Sequence, residues 1–328
     1  MARHRFHKAG WYGAAGFVCA TAASLFLGAC GSDVETRTVD FSVTVDVGRP
    51  TPSEREGESL KVAVAAMVSP RETAATYREL LDYLGRRLGK EVQLVQRKTY
   101  GEINELLGTG HIDIAFICSG PYAAGRDRYG LHLVATPEVY GDHFYQSYLI
   151  VNASSSFRTL EDLRHRTFAF TDPDSNTGRL VPLHWLAGLG EQPDTFFEQT
   201  IYTYSHDNSI LAVARGLVDA AAVDSLIWEY YARKMPSLTA LTRVIKRSEP
   251  YGIPPVVASS FVLSDTRDKI RRVLLSMHGD PDGRKILDEL LIDRFIEPRD
   301  EWYDSIRKLR ADLVHAATVS HVSAESQR

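Results

Sequence analysis

Cysteine is scarce in this sequence, which has three in 328 residues: Cys19, Cys30 and Cys118. Cys19 and Cys30 lie in an N-terminal stretch that is typical of a secretion signal, so only Cys118 remains for the folded part. If Cys30 carries lipid, neither an intramolecular disulfide nor a cysteine metal cluster is possible in the mature chain. Cys118 ends an apolar run, which is typical of a buried structural thiol.

An excess of positive charge is missing as well. The chain has 38 basic and 42 acidic residues, and residues 1–29 hold three of the basic and none of the acidic ones. Without residues 1–29 the balance is 35 basic against 42 acidic, a net charge of −7. Such a chain is a poor binder of nucleic acid or of anionic membrane surfaces. The 11 histidines show no convincing paired ligand spacing, so no metal and no cofactor are predicted.

The N-terminus has the order of a bacterial secretion signal. Arg3, Arg5 and Lys8 precede a small, apolar stretch from Ala9 to Leu27, and Leu27-Gly28-Ala29-Cys30 resembles a lipobox. This order predicts cleavage before Cys30 and lipid on its sulfur. A single membrane anchor is the alternative, but the glycines and the short apolar core argue against it. Residues 30–59 are polar and charged and are predicted to form a tether.

From Leu60 onward, strand-like and helix-like patterns alternate to about Ala317, and residues 318–328 are predicted to be a frayed polar tail. This alternation predicts an α/β fold with mixed, mostly parallel sheets. Ligands in such sheets bind beyond the carboxyl ends of the strands. Hydroxyl-rich or hydrogen-bonding turns follow five predicted strands, at Ser69, Ser119–Tyr122, Ser175–Thr177, Ser205–His206 and Asp224–Ser225.

The turn from Thr171 to Leu180 lies between the strand Thr167–Phe170 and an amphipathic helix. Unpaired N–H groups and partial positive charge at a helix start favour an oxyanion. An ordinary helix N-cap is the alternative, because Ser, Asn and Thr favour that position anyway. The convergence of five such turns raises the oxyanion hypothesis above this alternative.

Several motifs in order resemble the phosphate, phosphite and phosphonate-binding proteins of ABC importers. They are Ser69-Pro70, Tyr77-x-x-Leu80-Leu81-Asp82-Tyr83-Leu84, Phe116-Ile117-Cys118-Ser119-Gly120-Pro121-Tyr122, Asp172-Pro173-x-Ser175-Asn176-Thr177-Gly178, Ser205-His206-Asp207-Asn208 and Val218-Asp219-Ala220-Ala221-Ala222-Val223-Asp224-Ser225. The similarity covers roughly residues 60–309. It implies a two-lobed periplasmic-binding-protein type II fold. Residues 60–150 and 256–317 would form lobe one, residues 151–255 would form lobe two, and two crossovers near 148–151 and 252–256 would form the hinge.

The resemblance also implies which residues bind the ligand. The family's Ser-x-Ser/Thr-Gly turn corresponds to Ser175, Asn176 and Thr177, and its histidine to His206. The binding residues carried over, with Ser69 added from the convergent turns, are Ser69, Tyr100, Tyr122, Ser175, Asn176, Thr177, His206 and Asp224. A histidine beside an anion is favoured in its charged form. The alternatives are a surface histidine for His206, core aromatics for the two tyrosines and a helix N-cap for Asp224.

The sequence departs from the family members that bind aminoalkylphosphonates, which carry extra carboxylates for the amine. The corresponding regions read Asp224-Ser225-Leu226-Ile227 and Ile253-Pro254-Pro255-Val256, with Glu229 as the nearest spare acid. Phosphite, phosphate or methylphosphonate fits this pattern better, although Asp224 or Glu229 could still meet an amine.

These observations leave three alternative functions. The first is an extracytoplasmic lipoprotein that binds a phosphorus oxyanion and delivers it to the permease of an ABC importer. The second is a receptor of the same fold that signals to a membrane sensor kinase or binds another small anion. The third is a serine hydrolase built from Ser175, His206 and Asp224, although no Gly-x-Ser-x-Gly motif surrounds Ser175.

Overall fold

A computed structural model describes the backbone of residues 59–325 and the side chains to residue 315. The predicted signal and Cys30 lie outside the described residues, as does the predicted tether up to residue 58. The last helix runs from Asp304 to Glu325, so the prediction of a frayed tail from residue 318 is wrong for its first eight residues. No glycine or proline occurs between Asp304 and Glu325, so nothing in the chain stops the helix at Ala317.

Strands and helices alternate through most of the chain. The strands are Ser59–Val64 (β1), Glu91–Val95 (β2), Ile114–Phe116 (β3), His132–Glu138 (β4), Phe144–Tyr145 (β5), Ser147–Asn152 (β6), Thr167–Phe170 (β7), Gln199–Tyr202 (β8), Ala220–Asp224 (β9), Thr242–Arg247 (β10), Tyr251–Gly252 (β11), Val256–Ala258 (β12) and Arg294–Ile296 (β13). The α-helices are Pro70–Leu88 (α1), Tyr100–Gly108 (α2), Ser119–Tyr129 (α3), Val181–Gly188 (α4), Pro193–Phe196 (α5), His206–Ala214 (α6), Ser225–Lys234 (α7), Pro236–Thr239 (α8), Ser264–Ser276 (α9), Pro281–Leu290 (α10) and Asp304–Glu325 (α11).

Two large sheets hold most of these strands. The first has the strand order β13-β4-β12-β3-β1-β2 and the second β10-β6-β9-β7-β8. The prediction of mixed sheets is confirmed, but they are not mostly parallel. Of the nine strand pairs described within them, four are parallel and five antiparallel. Four of the five antiparallel pairs involve β12 or β6. Each of these two strands enters from the other sheet and so has no βαβ connection that would make it parallel to its neighbours.

A two-stranded ribbon of β5 and β11 lies where the chain passes between the large sheets. Strand β6, which follows β5 directly, pairs with β9 and β10 of the second sheet. Sheet membership therefore changes before Ser147, a few residues earlier than the predicted boundary at residue 150. The return passage lies between β11 and β12, within the predicted second crossover. The division into two lobes joined by a hinge stays a prediction.

Side chains of the first sheet alternate between two apolar layers. Val62 and Val64 pack with Leu80 and Leu84 of α1, whereas Ala63, on the other face, packs with α2, α3 and α11. The second sheet is covered in the same way, by α6 and α7 on one face and by α4 and α5 on the other. Period-two burial with helices on both faces is what the sequence alternation predicts.

Helix α1 follows β1 closely. Pro70 occupies its first turn, and the side chain of Ser69 makes no capping hydrogen bond. The backbone N–H of Ser69 instead donates to Asp207 Oδ1 at 2.8 Å. Helix α1 ends at Gly89, whose φ of 64° is a left-handed conformation that glycine adopts without strain.

Leu80→Ala tests the core of the first sheet. Leu80 is fully buried in the cluster that joins α1 to the sheet. Loss of its side chain should lower the free energy of unfolding by about 2–5 kcal/mol. Urea denaturation of the soluble domain measures this change. Leu217→Ala is the matched control, because Leu217 is 70% exposed and should change stability by less than about 0.5 kcal/mol. Equal effects of the two substitutions would contradict this account of the core.

Candidate ligand-binding site

The turn after β7 begins with a hydrogen bond from the backbone N–H of Gly178 to Ser175 Oγ, at 3.0 Å. Residues Asn176–Leu180 then form one π-helical turn before α4. Such wide turns occur frequently at functional sites. A side chain at Gly178 would collide with Thr171, so this turn requires a glycine. The oxygen of Ser175 therefore has the N-cap role that the alternative interpretation gave it.

Four polar side-chain atoms near this turn are buried and have no hydrogen-bond partner among the described residues. They are Tyr100 Oη, Asn176 Oδ1, Thr177 Oγ1 and His206 Nε2. We call them the unpartnered cluster. Buried polar groups are almost always hydrogen-bonded, because leaving one unpaired costs about 1–3 kcal/mol. Four such atoms from three loops therefore indicate a place where a polar ligand supplies the missing partners.

His206 is the first residue of α6 and is fully buried. Its Nδ1 accepts a hydrogen bond from the backbone N–H of Asp224 at 3.1 Å and lies 3.2 Å from Thr171 Oγ1. Because Nδ1 is an acceptor, the proton of the neutral ring is on Nε2. Burial lowers the pKa of His206 to about 3. Without an anion beside it, His206 is therefore a neutral N–H donor, and the expectation of a charged ring beside a bound anion stays a prediction.

Asp224 ends β9 and caps α7. Its Oδ1 accepts from the backbone N–H of Leu226 at 2.8 Å and of Ile227 at 3.3 Å. Burial raises the pKa of this carboxyl to about 7, although the two capping hydrogen bonds act in the opposite direction. The N-cap alternative is thus correct for Oδ1, and it is compatible with a role in binding.

Tyr100 joins the site from the first sheet's side. It begins α2, and its backbone N–H donates to Asp172 Oδ2 of the second sheet's turn at 3.1 Å. Burial raises the pKa of Tyr100 well above its usual value, and the neighbouring Cys118, Asp172 and Asp224 raise it further. The hydroxyl is therefore a neutral donor. Burial also raises the pKa of Asp172, to about 6.

Tyr145 is a site residue that the sequence analysis missed. Its hydroxyl lies 2.6 Å from Ser119 Oγ and 3.4 Å from Asn176 Nδ2, so it contacts both sides of the site. Asp224 is among the charges that raise its pKa, after burial and Cys118. Tyr145 lies in the ribbon strand β5 and not in a turn between a strand and a helix, so no turn motif points to it.

Tyr122 and Ser69 lie differently from the expectation. The hydroxyl of Tyr122 donates to Asp300 Oδ1 at 2.6 Å, and its ring packs on Tyr303, 4.7 Å between centroids. Tyr122 therefore fits the alternative of a core aromatic. Ser69 lies beside the site through its backbone bond to Asp207, the residue after His206.

The loops of the two sheets are in direct contact around the unpartnered cluster. The backbone N–H of His206 donates to Met67 O at 2.9 Å, across from β1. At Gly120 the contact is so close that a Cβ atom would lie 2.8 Å from Asn176 N. The cluster is thus enclosed from both sides.

Comparison with known proteins identifies the family. Residues 62–303 match the family model described as the periplasmic substrate-binding protein of phosphonate ABC transporters. The chain belongs to this family. Members of this family are periplasmic substrate-binding proteins of phosphonate ABC transporters.

The similarity to individual members of the phosphonate-binding family is distant. The phosphonates-binding periplasmic protein of Escherichia coli K12 is 24% identical over 246 residues, which cover 74% of this chain and 72% of the relative. The phosphate-import protein PhnD of Mycolicibacterium smegmatis is 29% identical over 200 residues, 56% of this chain and 60% of the relative.

Solved structures share the fold. A binding protein of an ABC phosphonate transporter from Pseudomonas aeruginosa has a TM-score of 0.75 and 23% identity, covering 80% of this chain and 88% of the other. PhnD1 of Prochlorococcus marinus, in complex with methylphosphonate, has a TM-score of 0.69 and 21% identity, covering 78% and 98%.

The described residues do not form the alternative hydrolase triad. His206 Nδ1 meets the backbone N–H of Asp224 and not its carboxylate, and His206 Nε2 has no bond to Ser175. Ser175 Oγ accepts from Gly178. The relatives are named as solute-binding transport proteins, not enzymes. Within residues 59–325, no group of His, Cys, Asp and Glu could hold a metal ion, and no helix is long and apolar enough to cross a bilayer.

Asp224→Asn tests the buried carboxyl. The pKa of Asp224 is raised from 3.8 to about 7 by burial, so between these pH values the folded chain binds more protons than the unfolded chain. Wild-type stability should therefore fall relative to the variant as pH rises through this window, by up to about 1.4 kcal/mol per pH unit. Asparagine keeps an oxygen to cap α7.

The measurement is urea denaturation of both proteins at a series of pH values, with the exposed Asp194→Asn as control. The control should follow the wild type at every pH. A constant difference in stability between wild type and Asp224→Asn would show that this carboxyl does not titrate in that range.

Proposed function

We propose that the protein captures a phosphorus oxyanion (phosphite, phosphate or a small phosphonate) between its two sheets and delivers it to the permease of an ABC importer. The unpartnered cluster carries the proposal, because Tyr100, Thr177 and His206 each have a buried atom that can donate a hydrogen bond. Ser175 supports the turn that holds Asn176 and Thr177.

The chemistry of the cluster fits a ligand that keeps one proton. Three of its atoms can donate, and the fourth, Asn176 Oδ1, accepts. A hydrogen phosphate or hydrogen phosphonate offers both accepting oxygens and one O–H. The neutral ring of His206 avoids a buried positive charge, and hydrogen bonds to an ionised group are among the strong ones. Asp224 would accept from the same ligand proton when it is ionised.

The names of the relatives support the same ligand class. They include a phosphate-import protein, a probable phosphite-binding protein of Prochlorococcus marinus, and a structure with methylphosphonate. The site of this chain keeps hydroxyl, amide and imidazole groups at its centre. No lysine or arginine is among the residues of the unpartnered cluster, so the cluster holds the anion by hydrogen bonds alone.

Thr177→Val tests the oxyanion site. Valine keeps the shape of threonine but removes the hydroxyl, so the ligand loses one charge-assisted hydrogen bond. The dissociation constant for phosphate, phosphite or methylphosphonate, whichever binds the wild type, should rise roughly 10- to 100-fold. Isothermal titration calorimetry measures it, with Thr195→Val, which changes an exposed threonine, as the matched control. An unchanged constant in Thr177→Val would remove this hydroxyl from the site.

We further propose that lipid on Cys30 anchors the protein to the outer side of the membrane, with residues 30–59 as the tether. The lipobox-like Leu27-Gly28-Ala29-Cys30 after an apolar stretch supports this anchor. An anchored receptor would stay close to its permease.

Cys30→Ser tests the anchor, because serine has no sulfur to carry the lipid. The full-length wild type, expressed in a bacterium that processes lipoproteins, should be found in the membrane fraction and take up radioactive palmitate. The variant should lose the label, and Cys118→Ser should keep it. Labelling of the Cys30→Ser protein would refute lipidation at this residue.

A further inference from the structure

An apolar cleft lies between the two sheets, beside the oxyanion site. Its cavity volume is about 110 Å³. Val64, Tyr77 and Phe116 line it from the first sheet's side, and Ile227, Tyr230 and Tyr231 from the second. We call it the apolar cleft.

Two residues connect the apolar cleft to the unpartnered cluster. Met67 and Asp224 both line the cleft, and both also form hydrogen bonds with His206. The backbone N–H of His206 donates to Met67 O, and the backbone N–H of Asp224 donates to His206 Nδ1. A ligand group bound at His206 is therefore next to two residues that line the cleft. The pKa of Tyr77, which lines the cleft, is raised to about 12, mainly by burial and also by the charge of Asp224. Asp224 is therefore close enough to the cleft to act on it electrostatically.

The lining favours an uncharged, apolar group. No lysine or arginine lines the cleft, and its acids are Asp224 and the exposed Glu72. The rings of Tyr77 and Phe116 meet edge to face, with centroids 5.5 Å apart, and form one wall. A second negative group would be repelled there, whereas hydrocarbon gains free energy in proportion to the area it buries.

The size of the cleft exceeds what the smallest ligands would fill. On the same measure a site for one water molecule needs about 10–15 Å³, so 110 Å³ has room for an alkyl chain of several carbon atoms. Phosphate and phosphite would leave this space empty of ligand, and a methyl group would fill little of it.

We propose that the apolar cleft binds the alkyl substituent of an organophosphonate, with a chain of about four carbon atoms, while the unpartnered cluster holds its phosphoryl group. This inference rests on the proposed function and narrows it to a substrate class. The competing occupant is an ammonium group between Glu72 and Asp224. It is disfavoured because Glu72 is exposed at the rim, and the lining residues include no carboxylate other than Glu72 and Asp224.

The test is calorimetric titration of the mature protein with phosphate, phosphite, methylphosphonate, n-butylphosphonate and 2-aminoethylphosphonate. Burial of three further methylene groups should make n-butylphosphonate about 10- to 50-fold tighter than methylphosphonate. Equal affinity, or 2-aminoethylphosphonate as the tightest ligand, would overturn the inference while leaving the proposed function intact. If none of these phosphorus ligands binds, the proposed function itself fails.

Thr76→Phe fills the cleft from α1, since Thr76 is among its lining residues. It should weaken n-butylphosphonate at least about tenfold and change methylphosphonate less than about threefold. Ile201→Phe, on the second sheet's edge strand, adds an aromatic ring outside the cleft and should change neither. Leu290→Trp is a second filling variant from α10, used if Thr76→Phe does not fold. A filling variant that binds n-butylphosphonate as tightly as the wild type would contradict the inference.

Discussion

The proposed binding of an oxyanion depends on four hydrogen-bonding atoms that are buried without partners. Tyr100, Asn176, Thr177 and His206 each carry such an atom. The desolvation of these groups costs free energy, and a ligand that pairs with them recovers it. Because Tyr100 comes from the first sheet and the other three from the second, ligand binding and contact between the sheets favour each other.

In the proposed site, neutral hydrogen-bond donors would stabilise the charge of the oxyanion. His206 has a pKa lowered to about 3 by burial, and its Nδ1 is already committed to the backbone N–H of Asp224. Protonation of this ring would break that bond. Beside it, burial raises the pKa of Asp224 to about 7, so this carboxyl can hold or accept a proton near neutral pH. In the proposed site, this carboxyl would favour an oxyanion that retains a proton over a fully ionised one such as sulfate.

The local features of the site could be predicted from the sequence, and the long-range ones could not. The turn at Ser175–Thr177 and the position of His206 follow from turn chemistry at strand ends, which lies within a few residues. Tyr145 was missed because it reaches the site through the ribbon of β5 and β11, a pairing of segments about 100 residues apart.

The same distinction explains the errors in the fold. Tyr122 resembles a binding tyrosine in sequence, but its hydroxyl donates to Asp300 Oδ1, a residue 178 positions further along the chain. The sequence analysis predicted more parallel strand pairs than the structure has, because strands that cross between the sheets can enter in either direction.

The most direct test of the central claim is a crystal structure of the mature protein with methylphosphonate. The account predicts phosphoryl oxygens within hydrogen-bonding distance of Tyr100 Oη, Thr177 Oγ1 and His206 Nε2, with the methyl group directed toward Asp224 and the apolar cleft. A ligand bound elsewhere, with these three atoms still without partners, would contradict it.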